Sequence, residues 1–127
     1  MLIYKSNYIT IMKNLVVSLI LFFIFASASV YAQDQISSKD AKDHIGQTVF
    51  VKGKVAAIFT SNKGNVFINF DEKSPDQTFT VAIFSDSKVD ISKITEGCTL
   101  TVLGEIKEYK GKPEIVVDKN EQIISIE

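Results

Sequence analysis

GNVFINFDEKSPDQTFTVAIF, residues 64–84, decides the fold. Val66, Ile68 and Phe70 alternate with Phe67 and Asn69; beyond a polar loop, Phe79, Val81 and Ile83 alternate with Thr78, Thr80, Ala82 and Phe84. A period of two is that of a β-strand, so the stretch predicts a hairpin. A half-buried sheet needs one apolar face, yet both faces here carry aromatic rings. The second set calls for a covering element or a ligand.

Upstream, QTVFVKGKVAAIF (47–59) reads as a long strand. Val49, Val51, Val55, Ala57 and Phe59 share its inward face with Gly53, and Lys52 and Lys54 point the other way. A glycine on the inward face of a long strand marks a sharp bend, as at a barrel corner. TSNKGN (60–65) is a turn cluster. Before the strand, ISSKDAKDHIG (36–46) predicts a short helix. Ser37 caps it with Asp40 three residues on, Ile36 and Ala41 stand at staple positions, and Gly46 ends it. His44, the sole histidine, falls in the last turn, where it interacts favourably with the helix C-terminus.

Downstream, SDSKVDISKITEG (85–97) predicts a loop with a short helix or helical turn. TLTVLGEIKEY (99–109) is a fourth strand, with Leu100, Val102 and Ile106 inward and Gly104 at a second bend. After a KGK turn, PEIVVD (113–118) is the fifth, with Ile115 and Val117 inward; NEQIISIE (120–127) adds a closing strand or packs against the rest. The expected class is all-β: a five-stranded, highly coiled barrel with a short N-terminal helix and a short helical segment between strands three and four.

The first 32 residues read as a signal peptide outside that domain. Lys13 supplies the positive region and Leu15–Phe25 the apolar core; Val30 and Ala32 sit where a signal peptidase reads, leaving residues 33–127 as the domain. An apolar core of that length spans roughly 16 Å as a helix, against about 30 Å of bilayer hydrocarbon. Cleavage is therefore favoured over an anchor, with no stable membrane span afterwards. Initiation at Met12 would give a more ordinary leader than initiation at Met1. The expected address is outside the cytoplasm, in the periplasm or extracellular.

Lys5 and Lys13 lie in the leader, so 12 of the 14 basic residues face all 15 acidic ones in the domain, a net charge of −3. Every basic residue is lysine. Arginine's bidentate fork for phosphate and guanine is absent, and an acidic domain is poorly suited to generic phosphate binding. Cys98 is the single cysteine, so no internal disulfide forms; at a strand start it reads as a small buried hydrophobe, with an intermolecular bridge as the rival.

The runs ISxxDAxxHIGxxVxVxGKV (36–55), FxNF with QTFTVxIF (67–84) and GxIKxYKGKPEIVV (104–117) resemble small bacterial OB-fold domains of the nucleic-acid-binding-like class. The resemblance implies a binding surface on strands two and three, flanked by the loops between strands one and two and between strands four and five. On this chain that surface comprises Phe67, Asn69, Thr80 and Phe84, with Ser61, Asn62 and Lys63 from the first loop and Lys107, Tyr109, Lys110 and Lys112 from the second. It implies single-stranded DNA or RNA as partner, with bases stacked on rings and phosphates held by lysines. The alternative is a periplasmic or secreted module binding an envelope protein, a glycan or a small ligand on the same face. Outward rings can also pack under a tail such as IISIE, and edge lysines deter strand pairing.

Enzymatic chemistry is not expected. A secreted nuclease lineage also uses the OB barrel, with arginines clamping phosphate beside calcium-binding carboxylates; this chain has none of those arginines. CxxC and HxxxH are missing, so a zinc site lacks ligands. Asp71, Glu72 and Asp76 in DEKSPD lack EF-hand spacing and read as a solvated hairpin loop. No cofactor or metal is expected, and one histidine with one cysteine makes no assured nucleophile–base pair.

Overall fold

The computed structural model describes residues 2–26 and 33–127. The chain divides into two units, Met1–Ala32 and Gln33–Glu127. In the first, helix α1 spans Leu2–Ala26. The expected cleavage site at Val30 and Ala32 lies outside the described residues, as does Met1. Among the described residues no helix is long and apolar enough to cross a membrane.

The second unit runs β1 (Gln35–Ser37), η1 (Ser38–His44), β2 (Thr48–Thr60), β3 (Val66–Phe70), β4 (Phe79–Ile83), β5 (Thr99–Glu105), β6 (Lys107–Tyr109), β7 (Lys112–Val116), η2 (Asn120–Gln122) and β8 (Ile123–Ile126). Its eight strands form one sheet in the order β6-β7-β4-β3-β2-β5-β8, with β1 parallel to β2. Neighbouring strands are antiparallel except β1–β2 and β4–β7. The ladder path is open among the described residues. The five expected strands correspond to β2, β3, β4, β5 and β7, but the count is eight. Short β1 is added, β8 is the strand offered as one reading of residues 120–127, and the expected fourth strand is cut at Ile106. At the cut the Ile106 N–H donates to Gln47 O (3.0 Å) and its carbonyl accepts from Gly46 N (2.7 Å). These bonds carry the β2–β5 pairing one residue beyond Thr48↔Glu105; Ile106 is fully buried, and from Lys107 the chain pairs with β7 instead.

The predicted inward positions of the hairpin form the core. Ile68, Phe70, Phe79 and Val81 are wholly buried with Val51, Val55, Leu100, Val102, Ile115 and Val117. Each such side chain contributes roughly 1.5–3 kcal/mol. Phe70 meets Phe79 edge to face, with ring centroids 5.1 Å apart. Cys98 is half-buried against this core and has no disulfide partner.

Several sequence expectations are corrected. Neither Ala57 nor Phe59 is inward: Ala57 stands opposite Asn69 on the other face, and Phe59 is 59% exposed. The β2–β3 register steps by two residues on β2, Val55 to Ala57, and by one on β3, Phe70 to Asn69. Such a β-bulge reverses the inside–outside alternation beyond it. Ile58 therefore packs on the core while Phe59 faces out. The segment between β4 and β5 contains turns but no helix. Asp90 Oδ1 accepts from Ser92 N (2.9 Å) and Asn120 Oδ1 from Asp90 N (2.8 Å). The first bond is local, the competition that makes Ser and Asp poor helix-interior residues, and the second ties the segment to Asn120 at the start of η2.

The expected N-terminal helix is present as a seven-residue 3-10 helix, η1, capped by Ser37, whose Oγ accepts from Lys39 N (3.3 Å). His44 Nδ1 lies 2.9 Å from Gln47 Oε1. Ser38 and Ala41 are the buried positions, three residues apart, which suits a winding of about three residues per turn. Ser38 packs directly over Gly53, and its Oγ donates to Asp71 Oδ2 (2.6 Å). Thr78 Oγ1 donates to the same oxygen. Asp71 is thus a strut between η1 and the β3–β4 loop rather than a solvated loop residue. Its left-handed φ of 67° is held by these bonds.

Candidate functional site

The outward face of β2, β3, β4 and β7 is organised in rows by strand register. Phe59 stands opposite Phe67, which stands opposite Ala82. The next row runs Ala57, Asn69, Thr80, Glu114 and Lys107. In the first row, Phe59 and Phe67 lie nearly parallel, with centroids 6.4 Å apart and planes at 22°. In the second, Thr80 Oγ1 donates to Asn69 Oδ1 (3.0 Å), and both residues are buried.

Beside this face rises the β6–β7 hairpin. Lys110 (φ 49°) and Gly111 (φ 78°) are its two central residues, both left-handed as a type I′ turn demands. The turn sets Lys110 Nζ 5.3 Å from the centroid of the Tyr109 ring, which is 55% exposed. A cation so placed is attracted by the ring's negative face.

Between the sheet face and the hairpin lies a cleft of about 360 Å³. Phe59, Phe67, Tyr109 and Pro75 supply apolar walls, Lys110 and Lys112 stand at one side, and Asn69, Gln77, Thr80 and Glu114 line the rest together with Ser74. Gln77 Nε2 lies 3.5 Å from Thr80 Oγ1; Gln77 Oε1 is buried without a hydrogen-bond partner among the described residues. Burial raises the Glu114 pKa above its ordinary value of 4.5. A shallower hollow continues from Phe59 and Phe67 to Ser61, Asn62, Lys63 and Asn65.

The structure therefore gathers Phe67, Asn69, Thr80, Tyr109, Lys110 and Lys112 around one cleft and sets Lys63 beside it. Asn69 and Thr80 lie on the outward side of the sheet but are buried. Phe84, 44% exposed beyond the end of β4, and Lys107, exposed on β6, lie outside the cleft lining. Phe59, Pro75, Gln77 and Glu114 escaped sequence reasoning. Phe59 was hidden by the bulge. Glu114 was legible, since inward Ile115 in PEIVVD leaves it facing out. Pro75 and Gln77 carried no periodic signal.

Glu114 yields a stability prediction. A raised folded-state pKa means the folded protein holds the proton more tightly. Stability is then greatest with the carboxyl protonated and falls as pH rises through the folded value. Glu114→Gln is accordingly expected to melt above the wild type at pH 7, with the gap closing towards pH 4. A gap that stays constant across a thermal-melt series over this range would contradict the assignment.

Residues 49–123, more than half of the chain, match the model of the OB-fold nucleic acid binding domain. The chain belongs to that family. Over 85 residues this OB-fold domain is 29% identical to Endonuclease YhcR of Bacillus subtilis strain 168, covering 67% of this chain and 7% of that protein. The chain thus spans a small fraction of that relative's length. Among solved structures, it superposes on a protein described as an aspartyl-tRNA synthetase from Leishmania major, with a TM-score of 0.51 and 13% identity over 73% of this chain and 21% of that one. It superposes equally on the OBody AM1L10 bound to hen egg-white lysozyme, with a TM-score of 0.52 and 15% identity over 72% of this chain and 93% of that one. At these identities the two likenesses speak for the OB fold alone.

Proposed function

We propose that residues 33–127 form an exported, non-enzymatic module whose core is a five-stranded OB barrel of β2, β3, β4, β5 and β7, and which binds single-stranded DNA or RNA. The observation that carries this reading is the cleft itself, where rings from two separate parts of the chain, Phe59 with Phe67 and Tyr109, meet two lysines. An unstacked base enters between rings, and its phosphates lie along Lys110, Lys112 and Lys63. The Glu114 carboxylate and the unpartnered Gln77 Oε1 are acceptors. They repel phosphate and suit the N–H groups of a base edge. Family membership and the endonuclease relative support the ligand class. The leader-like composition of the first 32 residues supports export.

Fluorescence anisotropy of labelled single strands of about a dozen nucleotides, within the site size of one OB domain, tests it. Affinity is expected to fall as salt rises, by about 0.7 log units per log unit of salt for each phosphate held. Lys110→Ala with Lys112→Ala should flatten that slope. Absence of binding at low salt would retire the reading.

A second reading rests on Glu114 and the net charge of −3: an envelope protein, a glycan or a small ligand bound on the same face. It predicts binding that depends on Tyr109 and Phe67 and barely responds to salt.

A further inference from the structure

The winding of η1 sorts its side chains. At about three residues per turn, residues three apart share a face. Ser38 and Ala41 are buried, Lys39 and Lys42 share a second, exposed face, and Asp40 and Asp43 share the third. The lysine face borders a groove of about 260 Å³, whose lining also includes Gln77, Lys112 and Gly111. Gln77 and Lys112 line the main cleft as well, so the two hollows adjoin at these shared residues. Asp76 is the one carboxylate on the groove, against three lysines. None of those lysines is neutralised by an ion pair, because the one ion pair among the described residues joins Lys52 to Glu127.

We infer that this groove is a second stretch of the nucleic-acid path: a strand whose base occupies the cleft continues past Lys112, and its next phosphates lie against Lys39 and Lys42. The inference rests on the proposed function and extends it from the second flanking loop, through Lys112, onto η1, which lies outside the binding surface that the resemblance implies. The physical reason is local. A domain whose residues 33–127 carry a net charge of −3 must segregate its lysines to attract a polyanion, and η1 does so by aligning two of them on the groove and turning Asp40 and Asp43 away. The Ser38–Asp71 bond fixes η1 against the β3–β4 loop, so the lysine face is held in place.

Anisotropy titrations of residues 33–127 with a four-nucleotide and a twelve-nucleotide strand across a salt series separate the two claims. The longer strand should bind more tightly and with a steeper slope. Lys39→Ala/Lys42→Ala should make the twelve-nucleotide slope shallower by about 1.4, two phosphates at about 0.7 each, and leave the four-nucleotide slope unchanged. Asp40→Asn/Asp43→Asn alters net charge by the same amount on the other exposed face and should leave both slopes as they were. Tight binding of both strands with no change in the lysine variant would overturn the groove and spare the cleft. Polyglutamate competing as well as the long strand would overturn the nucleic-acid assignment of the groove. Failure of both strands to bind would overturn the proposed function, and the groove with it.

Discussion

Tyr109→Ala and Phe67→Ala should each weaken single-strand binding by about 1–3 kcal/mol, the contribution of one base stacked on an aromatic ring. That corresponds to roughly 5- to 150-fold in affinity. Tyr109 is the cleaner test. Its ring is exposed on a three-residue strand at the sheet edge, so its removal should change stability by no more than about 0.5 kcal/mol. Lys110 occupies one face of the ring and leaves the other for a base. Tyr109→Phe keeps the stacking surface and should bind as the wild type does. Phe67→Ala also leaves Phe59 without its ring partner, so a small loss of stability accompanies the loss of affinity. Wild-type affinity in Tyr109→Ala would remove the hairpin from the site.

The largest stability effect is expected at Gly53. A Cβ there would lie 2.1 Å from Ser38 Oγ, 2.7 Å from Ser38 Cβ and 2.8 Å from Phe70 Cδ1. Rotation of Ser38 relieves the first contact but not the second. Phe70 cannot yield readily, because it is fully buried edge-on to Phe79. Overpacking of this kind costs about 1–3 kcal/mol and occasionally more; with two rigid obstacles, Gly53→Ala is expected near about 3 kcal/mol. In a domain of this size each kcal/mol shifts the midpoint by about 4–8 °C, so Tm should fall by more than about 10 °C in a circular-dichroism melt. Adding Ser38→Gly removes one obstacle and should recover part of the loss. A Gly53→Ala protein melting with the wild type would show that η1 does not rest on this strand. The effect bears on binding too, since a displaced η1 carries Lys39 and Lys42 off the groove.

Much of this was legible in residue order. Inward and outward positions of β3 and β4 follow directly from alternation in residues 64–84, whereas Gly53 read only as a bend, and that Ser38 packs over it is seen in the structure alone. The cap at Ser37 and the lysine–tyrosine hairpin were equally local signals. The placement of Tyr109, Lys110 and Lys112 beside Phe67 came from the family resemblance, and the structure brings them to one cleft.

Sequence by itself determined which side chains must be buried, because burial on a strand follows a period of two that neighbouring residues already express. Only the tertiary structure decided where that period breaks. The bulge after Val55 depends on pairing with β3, and it turns Phe59 outward against a pattern that read inward. The change of partner at Ile106 is equally long-range: up to it the chain pairs with β2 and the residues just before it, and from Lys107 it pairs with β7. The cleft likewise joins Glu114, Gln77 and Phe59, residues related by strand register and loop packing and by no spacing along the chain. Local patterns record each residue's own preference for core or water; which preferences meet at one surface is set by long-range pairing.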